Sequence, residues 1–316
     1  YYNAIMSWFK RRHDWAIARD TILTTIGVVP AVTAIIKALT HPGDGVILQT
    51  PAYNCFFGAI KNTGCQVISN PLTRVNITDR TFSYEIDFEN LELLASDERN
   101  KVLLLCNPHN PTGRIWTENE LEAIRDICCR NGVTVISDEI HCELTRNATD
   151  YVPYATIDPN AIICCSPSKA FNIAGLQNAN IICPDRRLRT DISFALKSNE
   201  VLDLNPLGVC GVTAAYDKGE DWLDALNMYL DENFEVLTDF IMKNLPAWKV
   251  CDSESTYLAW IDVSASGMNG DAMALHLLDK CKVRVSPGGI YGDSDYIRLN
   301  YACPRERLLE ALHRIG

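Results

Sequence analysis

Between residues 20 and 200 the apolar positions fall into two alternating kinds of pattern. Short, near-continuous apolar runs occur at 46–49, 67–70, 101–106, 133–137, 161–165 and 178–183. Between several of them lie longer stretches in which apolar residues recur every three or four positions, as at 28–39, 88–96 and 118–130. Near-continuous runs of this length read as strands buried on both faces, and the longer period reads as amphipathic helix. A helix over 3–18, ending near His13-Asp14-Trp15, and a short β run over 21–25 precede this region. Another helix is opened by Thr50-Pro51-Ala52-Tyr53. Thr117 followed by Glu120 is a capping-box signature, and Asn131-Gly132 is a stop. The alternation predicts an α/β fold with a mainly parallel sheet covered by helices on both faces.

Beyond residue 200 the pattern changes. Residues 208–244 read as helix, interrupted near Gly219 and long enough to bridge two domains. A smaller α+β piece follows. Its expected strands are 256–263, 283–286 and 296–301, and its expected helices are 271–281 and 305–315. The division drawn from this is a large α/β domain over 1–222 and a small α+β domain over 223–316.

Four loops stand out because each starts where an expected strand ends, after residues 25, 106, 137 and 165. In parallel sheets ligands bind at the carboxyl ends of strands. The last of these loops, Ser166-Pro167-Ser168-Lys169, delivers a lysine just past a buried strand. Burial disfavours its ammonium form and frees an amine nucleophile. The loop after 106 holds Asn110 between Pro108 and Pro111 as a fixed hydrogen-bonding side chain. The loop after 137 begins with Asp138, a carboxylate at the ligand edge. The first carries Gly27 and then a helix start, where backbone amides suit a phosphate.

Composition narrows the function classes. The 316 residues are 47% hydrophobic and 22% charged, ordinary for a globular chain, with no apolar run long enough to span a bilayer. A net charge of −11 without a basic block argues against nucleic acid and anionic membranes as partners. The thirteen cysteines contain no Cys-x-x-Cys and read as small buried hydrophobes of a reducing compartment, so the expected location is cytoplasmic. Cys106, Cys128, Cys129, Cys164, Cys165 and Cys183 in particular sit in apolar patterns. No metal site is expected.

Asn107–Gly113, Ser137–His141 and Ser166–Lys169, taken in this order and spacing, resemble the fold-type-I enzymes that use pyridoxal 5′-phosphate, in the class I/II aminotransferase superfamily. The resemblance covers essentially the whole chain. Closer details are similar to the MalY/PatB type, the cystathionine β-lyases or cysteine-S-conjugate β-lyases. These are Gly27-Val28-Val29-Pro30, Ser137 to His141, Ser168 to Gln177 and Ser255 to Trp260. His141 stands where aminotransferases usually carry tyrosine, and Gln177 where they carry arginine.

The resemblance implies a set of roles. Lys169 bonds the cofactor covalently and later moves protons. Asp138 pairs with the pyridine nitrogen, Asn110 donates to the ring O3′, and Tyr53 stacks on the ring. His141 stands beside the cofactor. Amides near Val28 and Val29, with the Ser166 hydroxyl, hold the phosphate. Arg298 takes the substrate carboxylate. The implied reaction is α,β-elimination of cysteine S-conjugates such as cystathionine by a homodimer, giving a thiol, pyruvate and ammonia. An aminotransferase, or a regulatory protein on the same scaffold, is the alternative at this stage. An N-terminal segment whose tyrosine reaches the partner's phosphate, and part of the last helix, are expected to be missing from the chain as given.

Overall fold

The computed structural model describes residues 1–146 and 149–316. Among them the strands are β1 (Ile22–Thr25), β2 (Gly45–Thr50), β3 (Gln66–Pro71), β4 (Thr73–Asn76), β5 (Thr81–Glu85), β6 (Asn100–Cys106) and β7 (Thr134–Asp138). They continue as β8 (Ile162–Cys165), β9 (Ala179–Ile182), β10 (Lys249–Cys251), β11 (Leu258–Asp262), β12 (Ser286–Pro287) and β13 (Tyr296–Asn300). Seven form one sheet in the order β1-β9-β8-β7-β6-β2-β3. Neighbours from β3 through β8 are parallel, and β9 alone runs antiparallel to both β8 and β1. This is the α/β architecture that the alternating pattern predicts.

Successive side chains of a strand point to opposite faces, so a strand covered on both sides must be apolar at every position. Here Leu103, Leu105, Val135 and Ile163 join one core, while Val102, Leu104, Ile136 and Ile162 join the other. The second core is closed by Val28–Leu39, Asn54–Asn62 and Arg186–Ser198 through Ile35, Phe56, Ile60, Ile192 and Leu196. Trp8, Phe9, Leu91, Leu121 and Ile124 close the first, from helices Tyr2–His13, Phe88–Ala95 and Glu118–Asn131. The helix Glu118–Asn131 starts and stops as its sequence requires. Thr117 and Glu120 form the reciprocal capping box, and Gly132 ends it at φ 69° in the left-handed region.

The second sheet has the order β12-β13-β11-β10-β5-β4. Two of its strands, β4 and β5, come from residues 73–85, well before the expected boundary at 222. β4 is half-exposed and mostly polar and carries no period, whereas β5 alternates, with Phe82 and Tyr84 buried between Thr81, Ser83 and Glu85, a signal the sequence reading missed. The expected helical run divides at Gly219 into Pro206–Lys218 and Glu220–Asn244. Two expectations near the end are corrected. The strand over 283–286 shrinks to the edge pair Ser286–Pro287, where proline has no N–H to extend a ladder. The helix over 271–281 is α-helical only at Gly270–His276 and passes into a π-turn at Leu277–Cys281.

All thirteen cysteines are free, and eight are buried. Cys129 differs from its expected burial. It lies on the solvent side of its helix while Cys128 packs inward. Among the described residues no helix is long and apolar enough to cross a membrane.

Candidate active site

β1, β6, β7 and β8 all run the same way, so the four loops that follow them meet at one edge of the sheet. There they enclose a cavity of about 190 Å³. Its wall includes Gly27, Val28, Val29, Tyr53, Asn110, Asp138, His141, Ser168, Lys169 and Asn178. Seven of the nine residues singled out from sequence thus share one cavity wall. The other two, Ser166 and Arg298, lie just behind it.

Val28 and Val29 open the helix Val28–Leu39. The first amides of a helix have no acceptor within it, and Pro30 contributes no N–H. The two valine amides therefore carry the positive end of the helix dipole into the cavity, a setting for a phosphate.

Asp138 ends β7 and is 3% exposed. Its Oδ1 accepts from the Ile140 amide at 3.1 Å. Burial pushes its carboxyl up to about 7, while that amide and the charge of Lys169 pull the other way. A carboxyl in this state becomes fully ionised once a cation is placed against it.

Lys169 lies half-buried four residues past β8. The turn before it is held by its own hydroxyl. Ser166 Oγ donates to the Asn178 carbonyl at 2.6 Å and accepts from the Ser168 amide at 3.1 Å. The Ser166 hydroxyl is thus committed to the turn, and Ser168 reaches the cavity in its stead.

His141 is buried, and its Nδ1 has no hydrogen-bond partner. Burial first, then Lys169 and Arg298, push it down to about 3, so the ring is neutral across the physiological range. It meets the Tyr257 ring edge-on at 5.9 Å. Tyr53, just before helix Asn54–Asn62, stands edge-on to Phe56 at 5.4 Å.

Arg298, on β13 of the second sheet, reaches across to the first. Its Nη1 donates to Asn110 Oδ1 at 2.9 Å, and its guanidinium carbon lies 4.5 Å from the Tyr291 ring centroid. Burial lowers its pKa. Among the described residues its charge meets an amide oxygen and aromatic faces, not a carboxylate. With its oxygen occupied, the Asn110 amide keeps its N–H groups for another acceptor.

Gln177 is exposed at φ 49° and stays out of the cavity wall. Its neighbour Asn178 was not singled out from sequence. It is buried, lines the cavity, and has an unpartnered Nδ2, while its Oδ1 lies 3.0 Å from the Tyr1 hydroxyl. A polar residue opening the apolar run of β9 is the signal that marks it.

The Asn110 loop is pinned by Gly113, which sits at φ +76°. Its carbonyl accepts from the Glu254 amide and the Ser255 hydroxyl, both at 2.9 Å. A Cβ there would lie 1.9 Å from Ser253 Oγ. Gly113→Ala should therefore cost more than the 1–2 kcal/mol of left-handed backbone alone, roughly 2–4 kcal/mol with the clash. The denaturant midpoint checks this, and an unchanged midpoint would show that the loop simply shifts.

Residues 1–315 match the family model described as aminotransferase class I and II. The chain belongs to this family. The cystathionine β-lyase PatB of Bacillus subtilis is 37% identical over 319 residues, which are 99% of this chain and 81% of PatB. Protein MalY of Escherichia coli is 35% identical over 311 residues, 96% of this chain and 78% of MalY. Among solved structures, cystalysin from Treponema denticola, which contains a pyridoxal 5′-phosphate cofactor, superposes with a TM-score of 0.95 at 36% identity. That match covers 99% of this chain and 80% of cystalysin. Both the fold-type-I architecture and the resemblance to the MalY/PatB type are thereby borne out.

The cavity fits this cofactor on its own chemistry. It offers helix amides for a phosphate, a buried carboxyl without an ion-pair contact among the described residues for a pyridinium, a tyrosine ring at its wall and an amine for an aldehyde. The unpartnered Nδ1 of His141 and Nδ2 of Asn178 are further polar atoms awaiting a ligand.

Proposed function

We propose that this chain is a pyridoxal-phosphate-dependent carbon–sulfur lyase that splits cysteine S-conjugates such as cystathionine into a thiol, pyruvate and ammonia. The observation that carries the reading is a lysine amine in the wall of the cavity together with an arginine just behind that wall that meets no carboxylate among the described residues. Arg298 needs an anion, and an amino acid's α-carboxylate supplies one in the bidentate geometry that guanidinium favours.

In this reading Val28 and Val29 hold the cofactor phosphate through their amides. Tyr53 would cover the ring face, Asn110 would donate to the ring hydroxyl oxygen, and Asp138 would keep the ring nitrogen protonated. Neutral His141 presents a ring without adding charge. Pyridoxal 5′-phosphate, when bound, supplies an electron sink that acidifies the substrate's Cα–H bond. Lys169 Nζ removes that proton. The Cβ–S bond then breaks with its electron pair going to sulfur, and a proton completes the thiol. The unsaturated amine left behind is hydrolysed to pyruvate and ammonia. Ser166 acts by shaping the turn that aims Lys169.

The same reading makes residues 1–222 the cofactor-binding unit and 223–316 the unit that supplies Arg298, with β4 and β5 tying the two together. It also makes the enzyme a cytoplasmic homodimer. Supporting these are thirteen free thiols, which suit a reducing compartment, and the resemblance to dimeric lyases.

The deciding experiment is incubation with cystathionine and no keto acid. Continuous release of pyruvate and free thiol is expected. Accumulation of the amine form of the cofactor, with turnover only when a keto acid is added, would overturn the reading in favour of transamination.

Arg298→Ala should lower kcat/KM by about ten- to a hundredfold, since a hydrogen bond to a charged group contributes about 1.5–3 kcal/mol. The loss should be alike for cystathionine and for S-methylcysteine, which share the α-carboxylate. A loss confined to one of them would show that Arg298 contacts some other part of the substrate.

A further inference from the structure

The loop after β7 continues past His141 into Cys142 and Glu143. These two lie outside the wall of the cofactor cavity and meet His13, the last residue of the helix Tyr2–His13. One nitrogen, one sulfur and one carboxylate oxygen from the three residues lie within 4.8 Å of one another. Among the described residues it is the one place where three such donors converge. His13 and Glu143 stand 130 positions apart, so no motif announces the group.

The spacing suits a metal ion. His13 Nε2 is 2.8 Å from Glu143 Oε1, and Cys142 Sγ is 3.8 Å from the same oxygen. Zinc bonds of about 2.0–2.3 Å place tetrahedral ligand atoms roughly 3.3–3.8 Å apart. The three donors therefore need shifts of about an ångström or less to close on one ion. An imidazole, a thiol and a carboxylate together suit zinc, whereas magnesium and calcium take oxygen ligands.

The donors are held from behind. Glu143 is 4% exposed. Trp8 Nε1 donates to its Oε1 at 2.5 Å, and Asn227 Nδ2 donates to its backbone carbonyl at 2.9 Å. The His13 ring lies 5.6 Å from the Phe9 ring and edge-on to Tyr151 at 5.2 Å. Outer contacts of this kind orient ligands before the metal arrives.

One atom is left over. Glu143 Oε2 is buried and has no hydrogen-bond partner, which is costly for a carboxylate oxygen. Arg12 Nε comes only to 4.0 Å from it, and that guanidinium is already engaged by Asp224 at 2.9 Å and Glu220 at 3.4 Å. A cavity of about 350 Å³ opens onto all three donors, giving an ion access and room for water.

We propose that His13, Cys142 and Glu143 form a zinc site that clamps the first helix to the loop carrying His141, with water from the adjoining cavity as the fourth ligand. Burial keeps the Cys142 thiol protonated, so its proton passes to solvent as the sulfur bonds the metal. Thiolate and carboxylate then balance the two charges of the ion. The site is independent of the lyase reading.

The test uses the holoenzyme, stripped of metal by a chelator and titrated with cobalt or zinc. Tetrahedral cobalt with a thiolate ligand absorbs in the red, clear of the cofactor's yellow colour. Wild type should take up cobalt with these bands, lose them when zinc is added, and melt at a higher temperature with zinc than without. His13→Gln, and independently Cys142→Ser, should weaken binding by about a hundredfold or more, since even outer contacts of a metal site contribute about ten- to a hundredfold. Neither variant's melting temperature should then respond to zinc. Circular dichroism confirms that each variant is folded, and variants on two elements guard against one misfolding. A hydrogen bond between His13 and Glu143 with no metal role predicts a lower melting temperature in His13→Gln and no zinc dependence in any of the three proteins. That result overturns the site, as do cobalt bands unchanged in both variants, which would place the metal on other thiols.

Discussion

Lys169→Ala should lower pyruvate release by roughly a hundredfold to ten-thousandfold or more, because the residue is both the attachment point and the proton carrier. No other lysine lines the cavity at the ends of β1, β6, β7 and β8. Borohydride treatment of the wild-type holoenzyme should fix the cofactor on the peptide containing Lys169. In the variant it should fix none. A label on a different lysine, or turnover within tenfold of wild type, would remove Lys169 from the centre of the chemistry. Added methylamine should restore part of the lost rate, since a free amine can carry the proton that the side chain no longer carries. Loss of fold would not be rescued in this way.

Asp138 gives the second large effect, and its sign depends on whether the cofactor is bound. In the holoenzyme, Asp138→Ala removes the only carboxyl among the residues lining the cavity. Turnover should fall by several orders of magnitude, with Asp138→Glu retaining more. In the cofactor-free protein the same carboxyl is a burden. Burial holds its folded value near 7, against about 3.9 in an unfolded chain. The folded state therefore binds the proton more tightly, and stability falls as pH rises from about 4 through about 7. Asp138→Asn lacks this group, so the cofactor-free variant should melt above wild type at pH 8, with the difference closing towards pH 4. Glu139, also held near 7 by burial, is present in both proteins and cancels. With cofactor bound the order should invert, because the variant loses the charge that meets the ring cation. The same order of melting temperatures with and without cofactor would show that Asp138 does not face that cation.

The sequence by itself determined the sheet and the centre of the site. Both rest on local signals: near-continuous apolar runs where helices cover two faces, a capping box at Thr117, a stop at Gly132, and polar loops placed where runs end. Asp138 and Lys169 could be found this way because each is the first ionisable side chain after a buried strand. Tertiary structure alone decided what lies far apart in the chain or depends on competing partners. Arg298 meets Asn110 across 188 positions, and only packing of the second sheet against the first fixes that approach. β4 and β5 join the second sheet because pairing with β10 and with each other completes it, a partnership with a strand some 165 residues later that the alternation of β5 alone does not announce. Ser166 looked like a ligand for the phosphate. Its hydroxyl instead closes a turn, because the Asn178 carbonyl lies within 2.6 Å and a buried carbonyl takes the nearest donor.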